Sequence, residues 1–83
     1  METIKIHDEP SIVRSTSIKI AEGLMPHRLV LRKTGNEFVT HFENLTAKQN
    51  GDVLEFHHRD FYWGHYFQKE EDAIKNFEER SKK

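Results

Sequence analysis

The chain has 83 residues, with 13 basic and 14 acidic side chains and a formal net charge of -1, so there is room for one domain, 1–83, and no basic field to hold nucleic acid. Cysteine is absent, which excludes disulfides, thiolate zinc sites and cysteine nucleophiles. No apolar run approaches the ~18 residues of a membrane helix, and the opening METIKIHDEP lacks the basic start and apolar stretch of a signal peptide, so a cytoplasmic setting is the simplest expectation.

Alternation of Ile4 and Ile6 with Thr3 and Lys5 predicts a short first strand, ended by Asp8, Glu9 and Pro10. SIVRSTSIKI predicts a second, with Ile12, Ile18 and Ile20 on one buried face. After Gly23 and Pro26, HRLVLRK reads as a third strand, and Gly35-Asn36 links it as a tight hairpin to EFVTHFENL. Residues 46–49 read as a looser end, and Asn50, Gly51 and Asp52 as a second turn into VLEFHH. Arg59 and Asp60 read as a further link, leading into FYWGHYF.

Over residues 69–81 the period changes. Ala73, Ile74 and Phe77 share one helical face, Glu70, Glu71 and Asp72 sit at the start, and Arg80, Lys82 and Lys83 at the end, as the helix dipole favours. Glu71 with Lys75, Glu78 with Lys82 and Glu79 with Lys83 are i,i+4 pairs in the favourable direction. The expected architecture is α+β: a curved antiparallel sheet of about five or six strands within residues 3–67, with one C-terminal helix packed on one face.

Residues 56–67, FHHRDFYWGHYF, concentrate six of the chain's nine aromatic residues and three of its six histidines. His58, Arg59 and Asp60 spell the HRD of a protein-kinase catalytic loop, yet that loop needs an Asn five residues after the Asp, where this chain has His65. A solvated turn is the simpler reading, and no catalytic residue is expected. His41, His57 and His65 lie on neighbouring predicted strands, but their spacing matches no ligand signature, so no metal and no cofactor are expected. Aromatic residues on a sheet stack bases in single-strand binders, though those proteins also carry a positive groove that is missing here. Strict alternation assigns Phe61, Trp63 and Phe67, with His65, to the core face and Tyr62 and Tyr66 to the outer one. There the tyrosines, with His58 and Arg59 at the nearby turn, form an expected partner-binding surface. Gly64 is the position at which a bulge would reverse that parity.

GHYF at Gly64 to Phe67, followed by Ala73, Ile74, Phe77 and Arg80, resembles a pattern found in small uncharacterised proteins of phages and other mobile elements, over residues 64–80. The resemblance implies no catalytic residues. It implies short proteins that act by occupying a surface of a larger host factor, inhibitors of CRISPR effectors being one example. The expected function is therefore non-enzymatic protein binding, with inhibition of a host factor as its form. A nucleic-acid-binding module is the alternative, and a small metal-dependent enzyme ranks third. Exposed strand edges also admit a homodimer.

Overall fold

In the computed structural model, which describes residues 3–20 and 22–82, five strands and one helix follow one another along the chain. These are β1 (Thr3–Ile6), β2 (Ile12–Ser15), β3 (His27–Thr34), β4 (Glu37–Asn50), β5 (Val53–Phe67) and α1 (Glu70–Ser81). The strands form one sheet in the order β1-β5-β4-β3-β2, with α1 packed against β3, β4 and β5. This is the expected α+β arrangement. Lys83, expected to pair with Glu79, lies outside the described residues. Among the described residues no helix is long and apolar enough to cross a membrane.

Both central hairpins turn on a glycine. Gly35 and Gly51 open the loops after β3 and β4 with φ of 65° and 62°, the pattern of a type II′ turn, whose first residue needs a left-handed φ that matches the twist of the flanking strands. Three features depart from the sequence reading. Residues 46–50 continue β4 rather than loosening it, and Arg59 and Asp60 lie inside one long β5 rather than linking two strands. β1 pairs with β5 in parallel, Ile6 beside Phe56, because the chain returns to it only after β2, β3 and β4 have been laid down.

One face of the sheet carries Leu29 and Leu31 from β3 and meets Ala73 and Phe77 of the helix, with Phe38, Phe42, Phe67 and Ile74 packed around them. The alternate residues of β3 and β4, Val30, Val39 and Leu45, are buried on the opposite face. There the link between β1 and β2 crosses from one sheet edge to the other, and Asp8 and Ser11 bond to Arg28 and Arg32 on the way. The expected burial of Ile12, Ile18 and Ile20 on one strand does not hold. β2 ends at Ser15, and Ile18 and the exposed Ile20 instead line an apolar groove with Ile4, Ile6, Leu54 and Phe56.

Candidate functional site

Two bulges decide where the aromatic stretch points. Thr40 pairs with His65 and Phe42 with Tyr62, so His41 alone faces Trp63 and Gly64. Asn44 pairs with Asp60 and Leu45 with His58, which leaves Arg59 as an extra residue. Each extra residue shifts the side-chain alternation by one. Tyr62 and Phe67 consequently lie on the helix side, with Phe42 and Phe38 opposite them, whereas Phe61 and Tyr66 lie on the other face beside Glu43 and Val39. The sequence assignment is corrected at four positions. Phe61 lies on the face away from the helix, Tyr62 lies on the helix side rather than beside Tyr66, Trp63 is exposed rather than core, and His58 donates to Glu43 from within β5 rather than standing at a turn. Phe67 does pack against the core, and Arg59 is exposed at its bulge.

Trp63 is the residue that alternation misplaces most. It is 73% exposed and adopts φ 54°, a left-handed conformation that costs a bulky side chain roughly 1 to 3 kcal/mol. Surrounding groups hold it there. Arg80 of the helix donates from one guanidinium nitrogen to the Trp63 carbonyl at 2.8 Å and from another to the Thr40 carbonyl at 3.0 Å. Its guanidinium also lies 4.9 Å from the centre of the Phe42 ring. The indole packs edge-on against Tyr62 at 5.1 Å and Phe42 at 6.0 Å. Next to it, a Cβ on Gly64 would touch the side chains of Val39 at 3.4 Å and Tyr66 at 3.5 Å, ordinary packing distances.

The opposite face holds a charged network. Glu43 is fully buried, accepts from Arg28 Nε at 2.6 Å and accepts from His58 Nδ1 at 2.8 Å. Arg28 reaches on to Asp8 at 2.7 Å. Burial disfavours the Arg28 charge, but the hydrogen bonds and charges of Asp8 and Glu43 outweigh it, and the guanidinium is held above its ordinary range. Phe61 packs between this network and a second group: His41 stacks on it at 4.2 Å, Arg32 lies 4.2 Å from its centre and His58 4.3 Å away. Burial first, then the charges of Arg32, Arg80 and His58, push His41 down to about 4, so its ring is neutral near pH 7. All the buried side-chain polar atoms among the described residues have partners, so the network has no orphaned donor or acceptor aimed at a ligand.

His41, His57 and His65 do not converge. His41 lies against Phe61, while His65 is paired with Thr40 on the helix side and is exposed. His57 instead meets two groups that no sequence spacing connects: its ring stacks on His7 at 4.1 Å, and His7 Nε2 donates to Glu55 Oε1 at 2.9 Å. That bond holds the Glu55 carboxyl below the usual carboxylate range. No family model, curated protein or solved structure matches this chain.

Proposed function

We propose that the protein is a non-enzymatic protein-binding domain that seats a partner on the rim of β5 around Trp63, and that it acts by occluding a surface of a larger host factor. The observation that carries the reading is a strained, exposed tryptophan whose backbone carbonyl is held by Arg80 of the helix. Backbone strain of this kind is maintained at sites where the side chain has a task in that position. An accessible indole is also the side chain that most often dominates binding energy once a partner's pocket closes over it.

Two further features support the rim. β1 covers β5 only from Val53 to Phe56, so beyond the His7 bond to Phe56 the outer edge of β5 carries no strand partner among the described residues. Such an edge offers backbone donors and acceptors to an incoming segment, and its bulges restrict which segments fit. Tyr66, 68% exposed, stands on the same strand on the opposite face. A partner that wraps the edge touches both rings. Arg59 is exposed at its own bulge on the same strand, while His58 Nδ1 donates to Glu43.

Capture from a cytosolic extract tests the reading with Trp63→Ala and Tyr66→Ala as paired controls. Wild-type protein should retain one protein in stoichiometric amount, and Trp63→Ala should weaken retention by roughly 30-fold, as expected for a dominant anchor, while melting close to wild type. Equal retention by Trp63→Ala, or none by wild type, contradicts the proposal. Sedimentation as a stable dimer that Trp63→Ala dissociates would instead assign the rim to self-association.

A further inference from the structure

We infer that His7, Glu55 and His57 form a binding site for a divalent transition-metal ion of the zinc class, at the point where β1 joins β5. Glu55 and His57 are alternate residues of β5 and project from one face. The parallel register places Ile6 beside Phe56, and the His7 N–H continues the ladder by donating to the Phe56 carbonyl at 3.0 Å. His7 is thereby carried onto the same face as the other two. The donor atoms of all three side chains lie within 4.8 Å of one another.

Those distances can be compared with what an ion requires. Zinc bonds to imidazole nitrogen and carboxylate oxygen of about 2.0 to 2.2 Å put two tetrahedral donors roughly 3.4 Å apart. The widest separation must close by less than about 1.5 Å, within reach of side-chain rotation. The stacked rings of His7 and His57 would tilt out of parallel so that both lone pairs meet at the ion. Asn50 Nδ2 donates to the second Glu55 oxygen at 3.4 Å, a contact that orients the carboxylate from outside.

The donor set also selects the ion. Two imidazoles with one carboxylate suit zinc, nickel, copper or cobalt, whereas calcium and magnesium require oxygen donors throughout. The His7 side chain is 36% exposed and that of Glu55 16%, so water or a donor from another molecule can complete the coordination. Lys5 and Lys48 are the register neighbours of Glu55 and offset part of its charge. Both are exposed and free to turn into solvent. A dissociation constant at or below about 10 μM is expected.

The competing explanation is that the trio is only a hydrogen-bonded clamp fastening β1 to β5. Zinc chloride titrated calorimetrically into untagged, chelator-treated protein separates the two. Binding of one ion per chain is expected, with visible absorption on cobalt substitution that reports imidazole ligation. Zinc at about a hundred times its dissociation constant should raise the melting temperature by roughly 10 °C or more. Glu55→Gln, which keeps the shape of the side chain and an oxygen that can accept from His7, and His57→Ala should each weaken binding by at least about tenfold. His65→Ala should bind as wild type does. A wild-type dissociation constant weaker than about 100 μM, or equal zinc binding by wild type and Glu55→Gln, would overturn the site and leave the clamp.

Discussion

Replacing Glu43 with alanine is expected to destabilise the protein by about 3 to 5 kcal/mol, the range for breaking a buried ion pair from one side. Glu43 is fully buried and accepts from Arg28 at 2.6 Å and from His58 at 2.8 Å, while the Arg28 side chain is itself only 2% exposed. Without the carboxylate, Arg28 keeps Asp8 and a long contact of 3.4 Å to Ser15, too little for a guanidinium in that position. The loss belongs to the unpaired charge rather than to the pair's net worth. Arg28→Met combined with Glu43→Leu removes both charges, leaves the exposed Asp8 to water and should cost less than Glu43→Ala alone. Thermal melts of the three proteins check this. A Glu43→Ala melt within about 2 °C of wild type would mean that water reaches the network and satisfies Arg28.

Phe77→Ala is expected to cost about 3 to 5 kcal/mol by leaving a cavity under the helix. Phe77 is buried in one cluster with Leu29, Leu31 and Ala73, so its ring helps join α1 to the sheet. For a chain of this length, total stability is on the order of 4 to 12 kcal/mol, and the change should lower the melting temperature by more than about 12 °C. Lys75→Ala, on the exposed side of the same helix, should melt near wild type. Equal melts for Phe77→Ala and wild type would mean that the helix is not part of the cooperative unit.

The two glycine turns, the positions of the strands beside them and the helical period of residues 70–81 were legible because each is written locally, whereas the full lengths of β4 and β5 were not. Bulges are not. Alternation through FYWGHYF assumes one residue opposite one residue, and the extra positions at Arg59 and Trp63 arise from how β5 fits β4 across the sheet. Gly64 marks the second bulge in the sequence, but no comparable signal marks the first. The starting parity also fails, since Tyr62 rather than Phe61 faces the helix. The cluster of His7, Glu55 and His57 was illegible for a related reason. His7 and Glu55 are 48 residues apart, and only the parallel return of the chain to β1 brings them together. Within the run from Gly64 to Arg80, Ala73 and Phe77 fill the core, Phe67 and Ile74 pack beside them, and Arg80 bonds to the Trp63 carbonyl at the bulge.

The division of the aromatic stretch into a packed part and a displayed Trp63 is tested most directly by intrinsic fluorescence, because the chain contains one tryptophan. Excited selectively, it should emit in the folded protein as an indole in water does, and neutral quenchers should reach it nearly as well as in the urea-unfolded chain. A blue-shifted emission shielded from quencher, moving to the red only on unfolding, would place Trp63 in the core and remove the observation on which the proposed binding surface rests.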